Sequence, residues 1–356
     1  MKPNFNNCIL NVTSAIMAKY HIESKYEVNN LIYDQIKDKK HVFLVVLDGL
    51  GKNLVEQHLD QNSFIIKNSI DYITSVFPPT TVAATTSLLS GKAPGETGWL
   101  GWHQYFDDFK QDIVLFKNVN FYTGERLTIN VANTYLGYNP FYYSFKNVEC
   151  RELYPNFKEN GFNKFSKMIE EMVKISNKQN ETYTYCYWNQ PDYEIHEFGT
   201  KHHIVKKVIK KLDQELNKFM KKCGESTAVI VLADHGLVDT KNLYLKDYPD
   251  FLECLVRKPS IESRTLAFKV NNHEKFLELF DKYFGKYFAL YDRKTFLESG
   301  YLGPDAKKAI PFLGDYIAIA TDNYCIAYEK QDPVFKASHA GGTADEMIVP
   351  LVIATK

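Results

Sequence analysis

Paired cysteines are missing from this sequence. Its six cysteines, Cys8, Cys150, Cys186, Cys223, Cys254 and Cys325, stand far apart with no C-x-x-C among them. That excludes a thiolate zinc site and a disulfide frame, and it fits free thiols, mostly in the core, in a reducing compartment. A charge excess is missing too: 43 Lys+Arg face 43 Asp+Glu in 356 residues. No basic field therefore exists to gather duplex nucleic acid or an acidic membrane. No apolar run approaches the roughly 20 residues of a membrane span, and Met1 to Cys8 opens no secretory core. The expectation is a cytoplasmic protein acting on small partners.

What the chain does have is a set of short apolar runs that end in acids. His41-Val-Phe-Leu-Val-Val-Leu-Asp48-Gly and Thr227-Ala-Val-Ile-Val-Leu-Ala-Asp234-His-Gly share one design, and Tyr183 to Asn189 and Met347 to Ile353 are similar. Such runs mark strands buried on both faces, as in parallel sheets. Helical periodicity lies between them, over Phe162 to Gln179 and over His203 to Lys222, where Val205, Val208, Ile209, Leu212, Leu216 and Phe219 share a face. The lysines of the second stretch alternate with that stripe and with Asp213 and Glu215, which predicts a solvated helix face.

Alternating strands and helices predict an α/β fold, a three-layer α/β/α sandwich with a mostly parallel central sheet. Two stretches break the rhythm, 104–160 and 245–312, the latter with a helix near Glu274 to Tyr283. Both are expected as insertions over the carboxyl edge of the sheet, where they shape substrate access. No repeat or linker divides the chain, so residues 1–356 are expected to form one catalytic domain.

Five segments carry metal-ligating or reactive side chains: Asp48; Thr81 in F-P-P-T-T; Asp192 and His196 in P-D-Y-E-I-H; Asp234 and His235 in A-D-H-G; and His339 in S-H-A-G-G. Each alone has a plain structural explanation. Asp48 suits a turn, Asp192 and His196 an i,i+4 helix pair, and Thr80 or Thr81 a helix cap. Together, three carboxylates and three imidazoles in one cleft must be paired or bind metal. Mixed oxygen and nitrogen ligands without thiolate suit Zn²⁺ at an open site and also accept Mn²⁺ or Fe²⁺. Six ligands and a hydroxyl exceed one tetrahedral ion and suit two. Thr81, at a predicted helix start, is where free N–H groups hold an oxyanion or phosphate.

The order of these motifs resembles the type I phosphodiesterase/nucleotide pyrophosphatase family of the alkaline phosphatase superfamily, over roughly Val42 to Ile353. The resemblance implies an alkaline phosphatase-like fold and a hydrolase of phosphodiester or pyrophosphate bonds, with nucleotide-type substrates. It implies one metal held by Asp192, His196 and His339 and another by Asp48, Asp234 and His235. Thr81, ten residues before Gly91, would be the nucleophile that binds the second metal and forms a phosphothreonine. One departure stands out. The family's phosphate-binding asparagine, about twenty residues past the nucleophile, is absent, and Trp102, His103 and Gln104 occupy that stretch as candidate substrate contacts. Trp99, Trp102, Tyr105 and Phe106 are placed either to stack a base or to pack beneath the insertion.

Competing readings remain. A phosphomonoesterase or phosphonate hydrolase of the same superfamily shares the ligand set, although the first arginine, Arg126, lies far from Thr81, and a dianionic substrate commonly draws an added cation. A catalytically silent metal-binding scaffold is the reading from another class, and the complete ligand and nucleophile set argues against it.

Overall fold

The computed structural model describes residues 1–330 and 334–356. Six strands form the larger sheet: β1 (His41–Leu47), β2 (Ser69–Thr74), β3 (Glu149–Leu153), β4 (Thr182–Trp188), β5 (Thr227–Leu232) and β6 (Ile348–Thr355), in the order β2-β6-β5-β1-β4-β3. Strands β5, β1, β4 and β3 run parallel, while β6 is antiparallel to both β5 and β2. Every residue of β1, β4 and β5 is buried. This is why their sequences read as continuous apolar or aromatic runs rather than alternating ones.

Helices cover both faces. On one side Phe43 of β1 packs on Phe219 of the His203–Lys222 helix, with ring centroids 5.1 Å apart. On the other, Tyr183, the register partner of Val42, meets Tyr20 just past the Ile9–Lys19 helix at 6.2 Å. The lysine-rich helix turns Val205, Ile209, Leu212, Leu216 and Phe219 inward, as its period requires. All six cysteines are free, and all but Cys150 are fully buried. No helix among the described residues is long and apolar enough to cross a membrane.

The two stretches expected as insertions, with the strand at 316–320 that follows the second, contribute short strands to one seven-stranded sheet, in the order 288–292, 316–320, 265–268, 260–261, 103–106, 111–114 and 119–120. Its neighbouring strands are antiparallel, and the two halves meet through the pairing of Ile261 with His103. The helix expected near Glu274 to Tyr283 spans His273–Phe284. Within 104–160, the segment Glu149–Leu153 returns to the larger sheet as its edge strand β3. Its mixture of charge and a single buried leucine is what an edge position tolerates.

Candidate active site

Register brings the acids together. Val46 pairs with Leu232, so Asp48 and Asp234, two residues further on, leave the sheet side by side at the carboxyl ends of β1 and β5. Asp48 N–H donates to the carbonyl of Trp188 at the end of β4, and Asp192 N–H donates to the carbonyl of Asp48 at 3.0 Å. Gly49 makes this approach possible. Its φ is +73°, and a Cβ there would lie 2.6 Å from Leu237 Cδ1 and 2.9 Å from Asp192 Cβ. Its N–H donates to Asp234 Oδ1 at 3.0 Å.

Asp192 opens helix α1 (Asp192–Phe198), so His196 stands one turn on along the same face, with Nε2 3.3 Å from Asp192 Oδ1. His339 arrives on the loop that enters β6, with its ring 3.9 Å from that of His235 and 5.3 Å from that of His196. Thr81 is the first residue of helix α2 (Thr81–Ser90), and its Oγ1 lies 3.1 Å from His235 Nε2 and 3.4 Å from Asp48 Oδ1. All seven side chains singled out in the sequence thus meet at one edge.

The donor set fits metal ions. His196 Nδ1 donates to the carbonyl of Ala337 at 2.8 Å and His235 Nδ1 to that of Gly236 at 3.1 Å. In the neutral rings each Nε2 is then an acceptor, and it faces a carboxylate oxygen at 3.3 Å, Asp192 Oδ1 and Asp48 Oδ1 respectively. In that neutral form acceptor faces acceptor, which a metal ion relieves; without one, burial opposes but Asp192 raises the proton affinity of His196, so that a proton serves that pair. Asp192 Oδ1 and two further buried atoms, Asp234 Oδ2 and His339 Nδ1, have no hydrogen-bond partner. Ligand atoms of Asp192, His196 and His339 lie within 4.8 Å of one another, as do those of Asp48, Asp192 and His235. Asp192 therefore belongs to both groups. Asp234 joins through Oδ2, which is 3.7 Å from His235 Nε2.

Crowding of like charge is visible in the proton affinities. Burial, followed by the neighbouring Asp234 and Asp192, pushes the Asp48 carboxyl well above the usual range. Burial also raises Asp234, against the opposing pull of His235. Burial works against ionised Asp192 too, yet His196 beside it holds that carboxyl below the usual range. His339 is pushed well down by burial and by His235.

A cavity of about 1230 Å³ opens over this cluster. Trp102 and His103 line it, His103 stacked on Phe121 at 3.8 Å and bonded through Nδ1 to Asp112 at 3.2 Å. Gln104 does not reach it. That side chain is fully buried, accepting from Leu100 N–H and donating to the carbonyl of Gly98, so it braces the preceding turn and is corrected from substrate contact to structural support. Trp99 and Phe106 are core residues, and Tyr105 lies under the Arg257 guanidinium at 4.1 Å.

Two residues at the site had no signal in the sequence. Tyr187 donates its hydroxyl to Asp48 Oδ2, and it sits in an aromatic strand that reads only as core. Glu262 also lines the cavity, as an isolated acid without a motif.

An α/β sandwich with acids, imidazoles and a helix-borne threonine gathered at its carboxyl edge is the architecture of a phosphoric ester hydrolase. The chain belongs to the type I phosphodiesterase/nucleotide pyrophosphatase family, whose sequence model matches residues 42–344, within the alkaline phosphatase superfamily. Among curated proteins none matches in sequence. Among solved structures the chain is similar to murine ectonucleotide pyrophosphatase/phosphodiesterase 5, seen in an inactive form in complex with AMP, with TM-score 0.66, 16% identity and 87% of each chain covered. The human ectonucleotide pyrophosphatase/phosphodiesterase 5 gives TM-score 0.65 and 16% identity over 88% of each chain.

Proposed function

We propose that this protein hydrolyses phosphodiester or pyrophosphate bonds of nucleotide-type substrates through Thr81, at a site that holds two divalent ions. The observation that carries the reading is the Thr81 hydroxyl at the start of α2, 3.1 Å from His235 Nε2 and 3.4 Å from Asp48 Oδ1, at an edge where Asp192 Oδ1, Asp234 Oδ2 and His339 Nδ1 are buried without partners. Asp192, His196 and His339 would hold one ion, and Asp48, Asp234 and His235 the other together with Thr81, with Asp192 placed between the two groups. Zinc suits this oxygen and nitrogen set, and Mn²⁺ or Fe²⁺ are the alternatives. Bound there, such ions would lower the pKa of the hydroxyl and of water and take up charge on phosphoryl oxygens.

The chain's own groups supply the rest. Thr81 Oγ1 forms the new bond to phosphorus while the bond to the leaving oxygen breaks, and water then hydrolyses the phosphothreonine. The first intrahelical bond of α2 is from Ala84 N–H to the carbonyl of Thr80, and no side chain caps the helix. The N–H groups of its first turn are thus available to phosphoryl oxygens. Trp102, Phe116, Phe121 and Tyr122 on the cavity wall offer flat apolar surface for a base, and Lys117 and Lys158 offer charge for further phosphates. The AMP bound by the murine relative supports nucleotide substrates.

The test is a panel of nucleotide diesters, dinucleotides, sugar nucleotides and monoesters, assayed on protein loaded with zinc, manganese or iron. The expected result is turnover of diester or pyrophosphate bonds that disappears with chelation and returns with metal. Turnover of monoesters alone, or of nothing, would overturn the proposal.

A further inference from the structure

Glu262 belongs to neither ligand group, although it lines the same cavity. It follows the strand Ser260–Ile261, and its Oε1 accepts two hydrogen bonds at 2.7 Å, from the Thr80 hydroxyl and from Trp102 N–H. Among the described residues no lysine or arginine pairs with it, and Arg264, two positions on, is engaged with Glu346 and the carbonyls of Tyr324 and Asp322. The backbone holds it in place closely. Ile261 has φ +90°, rare for a β-branched residue. A Cβ on Gly101 would lie 2.6 Å from the Ile261 carbonyl oxygen, so glycine is what lets Trp102 N–H reach the carboxylate.

Two consequences follow for the chemistry. Thr80 is the N-cap residue of α2, but its hydroxyl donates to Glu262 and does not cap the helix. A capping threonine accepts a bond from the first turn; with its hydroxyl turned to Glu262, Thr80 makes none, and the N–H groups beside Thr81 stay open. The second consequence concerns charge. Both donors point at Oε1; burial pushes this carboxyl above its usual range, and the same two bonds, with His103 and His235, act to keep it ionised. This carboxyl, in no ion pair among the described residues, thus bonds to the residue that precedes the nucleophile.

We propose that Glu262 is a specificity-determining residue that favours singly charged phosphoryl groups, those of diesters, over the dianionic phosphoryl group of a monoester, while holding Thr80 off the end of the helix. This inference rests on the phosphoesterase reading above. A second negative oxygen at phosphorus meets a like charge in a partly buried site, where one unit charge a few ångströms away changes binding by roughly tenfold or more.

The experiment compares wild type with Glu262→Gln and Glu262→Asp on p-nitrophenyl phosphate and bis(p-nitrophenyl) phosphate, and measures inorganic phosphate binding by calorimetry. Glutamine keeps the acceptor for Thr80 and Trp102 and removes only the charge. The ratio of monoester to diester kcat/KM should rise about tenfold or more in Glu262→Gln, with phosphate bound more tightly by a similar factor. Glu262→Asp keeps the charge and should keep the wild-type ratio. An unchanged ratio in Glu262→Gln, or an equal shift in Glu262→Asp, overturns the inference. Failure of wild type to turn over the diester overturns instead the reading beneath it.

Discussion

A tyrosine hydroxyl that donates to a buried aspartate fixes which lone pairs that aspartate can offer, and Tyr187 does this for Asp48. Such partners of metal ligands typically change metal affinity by about 10–100-fold when removed. Tyr187→Phe is expected to weaken metal binding on that scale, measured by competition with a chromogenic chelator, with the fold retained. Unchanged affinity would show that Asp48 needs no such support. The contrast between these two residues explains what the sequence discloses at this scale. Asp48 is legible because it ends an apolar run and precedes a glycine. Tyr187 is not, because Tyr183 and Tyr185 share its strand and its face, and only Tyr187 comes within reach of an acid. Gln104 misled for a related reason. Its amide was available in sequence, but the Gly98 to Leu100 turn uses both ends of it.

At the scale of elements, the segment that carries His339 into the short helix Ala344–Met347 is held by one buried acid. The loop from His339 to Glu346 is tied by Glu346, which is fully buried and accepts from the Arg264 guanidinium at 2.6 and 2.8 Å, from Gly341 N–H and from the Thr343 hydroxyl. Breaking a buried pair by removing one partner costs about 3–5 kcal/mol, because the remaining charge is stranded. Arg264→Met should lower the unfolding free energy by that amount in urea titration and loosen metal binding through His339. A loss below about 1 kcal/mol would mean that Glu346 finds other compensation or takes up a proton. His339 could be singled out from its motif, but its anchor could not, since Arg264 and Glu346 lie 82 positions apart. The shared face of Asp192 and His196 on α1 and the start of α2 at Thr81 are legible by contrast, because i,i+4 spacing and a helix start are local signals, although the Thr80 side chain makes no cap.

For the whole molecule, the four inner strands of the larger sheet could be read from sequence, and its edge strand β3 and the smaller sheet could not. Strands β1, β4, β5 and β6 are buried on both faces and write themselves as unbroken runs. The strands of the smaller sheet are two to five residues long, and their halves are joined by Ile261 and His103, far apart in the chain. Pairing at that distance leaves no periodic trace. Net charge also takes on a different meaning at this scale. The chain sums to zero, yet two divalent ions would outweigh Asp48, Asp192 and Asp234 by one positive charge at the proposed site. Metal ligands must shed their protons to bind, and burial holds protons on Asp48 and Asp234 above the usual carboxyl range. Metal affinity should therefore fall as pH is lowered, and binding should release protons, as calorimetry in buffers of different ionisation enthalpy will show. Stripping the metal should lower the melting temperature by on the order of 5 °C or more. The most direct test of the central claim is the rate of bis(p-nitrophenyl) phosphate hydrolysis by metal-replete Thr81→Ala beside wild type. The account predicts a loss of about a thousandfold or more, with metal content and melting temperature retained. Unimpaired turnover by Thr81→Ala would contradict it.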